Sequence, residues 1–240
     1  MEFTKEKTVA SYVNENIANA HVFKKFGIDF CCGGGISVER ACAKHNLQLS
    51  EVLDALEKVN SPITEEKDFN NWELDTLLDY IVDNHHSYVE ETIPVIKAYA
   101  NRVAEVHGHH YTEVIQINEL FEEVAGELAM HLKKEELVLF PFVKKLLTAK
   151  RQNQKIEFPH FGTVNNPVRM MEYEHENAGD VFKEIAKLTN NYTPPEGACN
   201  TFKALYALLG EFESDLHTHI HLENNILHPK AISLEEEVLG

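Results

Sequence analysis

The chain has 240 residues and a formal net charge of −17, from 39 acidic and 22 basic side chains. Its length and 43% hydrophobic composition allow a sizeable buried core, whereas the acidic balance argues against a nucleic-acid partner. No uncharged apolar run approaches the ~18 residues of a membrane span, and the first seven residues lack a signal-peptide layout. Four irregularly spaced cysteines do not make a disulfide framework. We therefore expect a reduced, cytoplasmic protein without a membrane partner.

The first 60 residues are predicted to be a small helical domain. Helical patterns are expected over about residues 9–26, 38–45 and 49–59. A glycine-rich turn separates the first two, and it contains the adjacent cysteines Cys31 and Cys32. Residues 61–72, which begin with Ser-Pro, are predicted to be a linker.

Residues 73–240 show four long helical periodicities, in which apolar side chains recur every three or four residues. Breaks fall near Gly108, over residues 158–162 and over residues 194–197. No segment shows the period-two alternation of a β-strand. This pattern predicts an all-α fold, an up-down four-helix bundle preceded by the small helical domain.

Six polar residues interrupt the apolar seams of these four helices. Unpartnered polar groups in a bundle core would each cost several kcal/mol, so something must compensate them, and metal ions bind imidazole and carboxylate directly. The six predicted metal ligands are His86, His131, Glu135, His175, His219 and Glu223.

Two of the helices carry a His-x-x-x-Glu pair, His131 with Glu135 and His219 with Glu223. Residues i and i+4 share a helix face, so each pair can converge on one metal or span two. With one histidine from each other helix, four nitrogens and two carboxylates suit a dinuclear site that favours iron, then manganese. The alternatives are core histidines satisfied by ordinary hydrogen bonds, or a structural zinc site, which needs only four ligands and leaves two residues unexplained.

The remaining histidines are expected elsewhere. His107 continues the first seam, but it lies 21 residues after His86, or ~31 Å along a straight helix. A position at the bundle end, outside the first coordination sphere, is therefore favoured unless Pro94 breaks the helix. Glu136 is expected to point away from the face of Glu135. Surface or loop positions are predicted for His85, His109, His110, His160, His217, His221 and His228.

Taken together, these motifs resemble those of the RIC (repair of iron centres), ScdA-like di-iron proteins over nearly the full length. The N-terminal stretch Phe26-Gly-Ile-Asp-Phe-Cys-Cys-Gly-Gly34 is similar to the family's first domain. The bundle is similar to hemerythrin-like domains in the stretches Asp83–His86, Met130–Glu136, Glu172–His175 and His219–Asn225. The residue before the final proline is His228, where the family usually has phenylalanine.

The resemblance implies two non-haem irons per chain with an oxo or hydroxo bridge, bridging carboxylates from Glu135 and Glu223, and four terminal histidines. His107 matches a histidine that is sometimes counted with the family's ligands. Glu127 and Glu174 match acidic positions near the family's iron site, which implies a role in proton or iron movement. The implied function is repair of iron–sulfur clusters damaged by nitric oxide or peroxide, through donated iron.

Two roles are open for Cys31 and Cys32. They take part in thiol exchange or iron transfer, or they only pack the small domain. A cross-link or a homodimer through the N-terminal domain is a further expectation. The client would be a protein with a damaged iron–sulfur cluster. The alternative functions are a di-iron enzyme that reduces nitric oxide or peroxide and, third, a hemerythrin-like oxygen carrier, which has no need of the cysteine segment.

Overall fold

The computed structural model describes residues 4–59 and 68–239, and helices account for most of them. The only extended pairing within these two ranges is an isolated bridge between Thr8 and Ser37, so the predicted all-α fold is confirmed. The helices are α1 (Val9–Glu15), α2 (Asn19–Lys25), α3 (Val38–His45), α4 (Leu49–Val59), α5 (Leu74–Tyr80), α6 (Ser87–His107), α7 (Glu113–Lys134), α8 (Phe140–Gln152), α9 (Asn165–Leu188), α10 (Asn200–Leu222) and α11 (His228–Leu239).

One compact unit consists of Met1–Leu77 and His217–Ser233. The single helical stretch expected over residues 9–26 is two helices, because the Asn16 side chain accepts a hydrogen bond from the backbone N–H of Ala18 and ends α1. Side chains from α1 to α4 make the core of the N-terminal part: Tyr12, Phe23, Val38, Val52 and Leu56. Lys230 ties the C-terminal segment to this unit by donating to the carbonyls of Asn70 and Trp72.

Part of the predicted linker over residues 61–72 lies outside the described residues. Its final part contains a short 3₁₀ turn, Phe69–Asn71, in which Phe69 is buried. The domain limits 1–60, 61–72 and 73–240 stay a prediction.

The other unit comprises Leu78–Leu216 and Leu234–Gly240 and contains the helix bundle. Phe121 of α7, Phe182 of α9 and Phe212 of α10 form its aromatic centre, with ring centroids 5.5–6.5 Å apart. Helix α6 is continuous through Pro94 and ends at His107. Among the described residues, no helix is both long and apolar enough to cross a membrane.

Within the part of the chain that the structure describes, three π-helical segments interrupt the long helices: Ile81–His86, Glu135–Leu139 and Glu223–Leu227. Each contains one of the predicted metal ligands. A π turn inserts an extra residue, which changes the face that each following side chain occupies, and such segments are frequent at functional sites. A regular 3.6-residue pattern therefore misjudges neighbouring positions.

The surface prediction was wrong for three histidines, since His85, His221 and His228 are buried. His85 is beside His86 in the first π segment and hydrogen-bonds through Nδ1 to Asp215 (2.9 Å). His221 and His228 flank the last π segment. By contrast, the exposed positions of His109, His110 and His160 confirm the prediction, and His217 is half-buried.

Candidate metal centre

Four of the predicted ligands converge in the helix bundle. The Glu135 carboxylate is fully buried, and its Oε2 lies 3.4 Å from Nε2 of both His86 and His131. His175 of α9 places its Nε2 3.0 Å from Nε2 of His131. Imidazole nitrogens and a carboxylate oxygen that point at a common centre are the donor set of iron, manganese or zinc. The residues present therefore fit a metal ion.

Two outer carboxylates hold the histidine rings. The Nδ1 of His86 lies 2.9 Å from Glu136 Oε1, and the Nδ1 of His131 lies 2.8 Å from Glu174 Oε2. A carboxylate at Nδ1 fixes the proton there, so Nε2 keeps its lone pair for a metal. Glu136 therefore turns toward His86, the residue that also lies beside Glu135, and the prediction that it points away from the face of Glu135 was wrong.

The charge of these outer carboxylates is favoured. The hydrogen bond with His131, helped by Lys134 against the effect of burial, lowers the pKa of Glu174 to about 2. Burial opposes ionisation of Glu136, but the hydrogen bonds with His86 and Lys133 outweigh it and lower its pKa. Both carboxylates are therefore anionic near neutral pH, and their charge makes the Nε2 atoms of His86 and His131 stronger ligands for a metal.

The other predicted ligand pair lies on the C-terminal helical segment. His219, near the end of α10, and Glu223, at the start of the last π segment, are both buried. His219 Nε2 lies 3.0 Å from Glu223 Oε1. The i,i+4 spacing thus produces the paired imidazole and carboxylate that the sequence predicts.

The Cys-Cys turn is built on Asp29. Its Oδ1 accepts hydrogen bonds from the backbone N–H groups of Cys31 (3.0 Å) and Cys32 (3.2 Å), and from the Cys31 thiol (3.3 Å). Gly34 is required because a Cβ there would lie 2.4 Å from the Phe30 carbonyl oxygen. Both cysteines are free thiols, Cys31 buried and Cys32 half-buried.

This turn packs against residues that follow His219. Asn225 donates to the Cys31 carbonyl (3.1 Å), and Asn224 Nδ2 lies 3.8 Å from the Cys32 sulfur. The hydrogen bond with Cys32, together with burial and the nearby Asp29, raises the pKa of Cys31 well above its usual value. Cys31 is therefore a thiol at neutral pH, and Cys32 is the more accessible sulfur.

His107 and Glu127, which the resemblance places near the metal site, lie apart from the converging side chains. His107 is at the end of α6, where its Nε2 lies 3.3 Å from the Cys199 sulfur and its ring meets Phe202 edge-on. Glu127 is exposed on α7 and accepts a hydrogen bond from Asn177 (2.7 Å). Within the described part of the chain, neither belongs to a group of three or more convergent ligand side chains.

Comparison with known proteins connects both parts of the chain to described families. A model described as the hemerythrin HHE cation binding domain matches residues 77–231, and a domain of unknown function, ScdA_N, matches residues 5–60. The probable iron-sulfur cluster repair protein of Haemophilus influenzae is 35% identical over 214 residues, covering 88% of this chain and 90% of that protein.

Two further relatives are similar to this chain over nearly the same length. The iron-sulfur cluster repair protein YtfE of Pectobacterium atrosepticum is 34% identical over 211 residues, and that of Edwardsiella ictaluri is 33% identical over 211 residues. Each match covers 88% of this chain and 90% of the relative. The chain, which also matches the ScdA_N domain, therefore belongs to the hemerythrin HHE family and to the group of iron–sulfur cluster repair proteins.

Proposed function

We propose that the six predicted ligands form one dinuclear iron centre. The support is that all six side chains are buried and that ligand atoms lie close together within each unit. Four of the six converge around Glu135 in the bundle, and His219 pairs with Glu223 over 3.0 Å in the other unit. Glu135 and Glu223 are the proposed bridging carboxylates.

Four histidines and two carboxylates leave coordination positions for an oxo or hydroxo bridge and for a small molecule. Iron bound there would supply an exchangeable cation with one-electron redox chemistry. Measurement of the metal content and the ultraviolet–visible spectrum of protein purified without added metal tests this centre. Two irons per chain with a near-ultraviolet oxo-bridge band are expected, whereas a single zinc contradicts the assignment.

The proposed function is repair of iron–sulfur clusters damaged by nitric oxide or peroxide, through supply of iron. The observation that carries it is the packing of the Cys31–Cys32 turn on Asn224 and Asn225, directly after Glu223. A pair of thiols beside a ligand-bearing segment suits the transfer of iron, and thiolates are iron ligands. The names of the relatives agree with this role.

The repair assay uses a purified hydro-lyase whose [4Fe–4S] cluster has lost one iron after peroxide treatment. The remaining [3Fe–4S]⁺ cluster takes up one Fe²⁺ and one electron to give [4Fe–4S]²⁺, and a thiol reductant in the buffer supplies the electron. We expect hydro-lyase activity to return in proportion to the iron that leaves the protein. No recovery with the iron-loaded protein contradicts the proposal.

The same experiment separates repair from the alternative, a di-iron enzyme that reduces nitric oxide or peroxide. An iron donor loses its iron in stoichiometric amounts, whereas an enzyme consumes nitric oxide or peroxide over many turnovers and keeps both irons. Iron content measured before and after each reaction decides between the two.

Changing both cysteines to serine tests the thiols. Because Cys31 and Cys32 contact Asp29, Asn224 and Asn225 but none of the six ligands in the described contacts, C31S/C32S should keep the iron spectrum and lose repair activity. The matched control is Cys42→Ser, which alters a buried cysteine of α3. Full repair by the double variant would assign the pair to packing.

We further propose that the protein works in the cytoplasm and that two chains associate through the N-terminal domain. The small number and irregular spacing of the four cysteines agree with a reducing compartment. Sedimentation of the full chain with and without a thiol reductant tests the dimer, and a monomer under both conditions refutes it.

A further inference from the structure

Four large apolar side chains are exposed on neighbouring helices of the bundle. Met130 of α7 is 68% exposed and Leu137, just beyond α7, is 73% exposed. On α9, Met170 is 55% and Tyr173 is 71% exposed. Single exposed hydrophobic residues are ordinary, but a contiguous group marks an interaction surface.

The contacts between α7 and α9 place these side chains along one seam. Asn177 bonds to Glu127, and Lys134 forms an ion pair with Glu174, so the line from Glu127 to Lys134 is the edge of α7 that faces α9. Met130 lies one helical turn from both residues of that line.

The exposed apolar residues of α9 lie at the corresponding spacing from the seam. Tyr173 is four residues before Asn177, and Met170 is four residues before Glu174, so both border the seam. Leu137 lies three residues after Lys134, within the π segment Glu135–Leu139, and its side chain is exposed. Met130, Leu137, Met170 and Tyr173 therefore form one surface, here named the α7–α9 patch.

The surroundings of the α7–α9 patch are acidic. The stretches 123–137 and 169–177 carry six carboxylates besides buried Glu135, against three basic side chains. The basic groups Lys133 and Lys134 are already paired with carboxylates. A second copy of a chain with net charge −17 would be repelled at this rim, whereas a lysine- or arginine-rimmed surface would be attracted.

We propose that the α7–α9 patch is the docking surface for the protein that receives the iron, and that this partner presents apolar side chains bordered by lysine and arginine. The inference rests on the proposed repair function and adds the place of contact. The patch surrounds the Lys134–Glu174 pair, and Glu174 holds the ring of His131. A partner bound there lies directly over an outer carboxylate of the metal centre.

The test replaces the three non-aromatic side chains of the α7–α9 patch with glutamine, an amide of similar size. The triple variant M130Q/L137Q/M170Q keeps helix propensity nearly constant and changes only exposed positions. The control V95Q/I115Q alters two exposed apolar residues away from the patch, each 43% exposed. Both variants are expected to keep the iron content, the spectrum and the rate of iron release to a small chelator.

The readout is the concentration of peroxide-damaged hydro-lyase that gives half-maximal repair. The triple variant should need at least about tenfold more client, and the control should match wild type. Because the rim acts through charge, added NaCl should weaken the wild-type interaction. Equal half-maximal concentrations for triple variant and wild type overturn the proposal.

A direct binding measurement keeps docking separate from repair. Immobilised wild type is titrated with the damaged hydro-lyase, so that binding is detected even where no activity returns. If the triple variant loses the binding that the wild type shows, the docking surface is supported even where repair fails. If the triple variant still binds, the docking surface is overturned even where repair succeeds. If the wild type is a dimer and the triple variant is a monomer, the patch is a self-association surface, and the proposal is also overturned.

Discussion

Removal of the Glu174 carboxylate should weaken iron binding although Glu174 is not a predicted ligand. Its Oε2 accepts the hydrogen bond of His131 Nδ1 over 2.8 Å, and its lowered pKa of about 2 shows that the charged form is favoured. In the Glu174→Ala variant, the imidazole loses both its orientation and the negative charge that makes Nε2 a stronger donor.

The size of the effect follows from the type of bond. A hydrogen bond to a charged group contributes about 1.5–3 kcal/mol, which is a ~10- to 100-fold change in an equilibrium constant. Outer partners of metal-bound histidines have effects in the same range. We therefore expect one of the two proposed irons to bind about 10- to 100-fold more weakly, while binding of the second changes less.

An anaerobic Fe²⁺ titration against a competing chelator measures both dissociation constants. Glu176→Ala is the matched control, because Glu176 lies on the same helix but is exposed. Circular dichroism of the metal-free variants establishes that both remain folded. Iron affinity of Glu174→Ala equal to that of Glu176→Ala refutes the assigned role of the outer carboxylate.

Three further changes have distinct outcomes. Glu135→Leu should lose both irons, because the buried carboxylate lies 3.4 Å from two histidines; a variant that keeps two irons by metal analysis defeats the bridging assignment. His107→Ala should keep full metal content, since His107 contacts Cys199 at the far end of α6, and loss of one iron would contradict the helix-length argument. Burial raises the pKa of Tyr206 to about 12, so its contribution to stability is complete below pH 10 and is lost as the pH rises from 10 to 12. Tyr206→Phe should reduce the alkaline fall in the free energy of unfolding by about 1–2 kcal/mol, and identical pH profiles in urea titrations would show that Tyr206 does not contribute.

The sequence pattern was sufficient to predict the fold class and the polar side chains that converge in the bundle. A helix repeats every 3.6 residues, so a polar residue on an otherwise apolar seam must face the core whatever the details of packing. His131, Glu135 and His175 follow this rule, and the structure brings them together. The i,i+4 spacing likewise predicted the contact of His219 with Glu223.

The positions next to the ligands could not be derived in this way. A π segment changes the angular step per residue, and the sequence has no local marker for it. For that reason the regular pattern put His85, Glu136 and His221 outside, whereas His85 and His221 are buried and Glu136 bonds to His86.

The sequence by itself determined which side chains face the core where a helix is regular, because helical periodicity is a local property of the backbone. It also determined the acidic charge and the adjacent thiols of the turn. Only the tertiary structure decided which carboxylates hold His86 and His131, that Asn224 and Asn225 receive the Cys31–Cys32 turn, and that Met130 and Tyr173 share one exposed seam. These relations join residues far apart in the chain, and packing between helices, rather than the spacing within one helix, sets their distances.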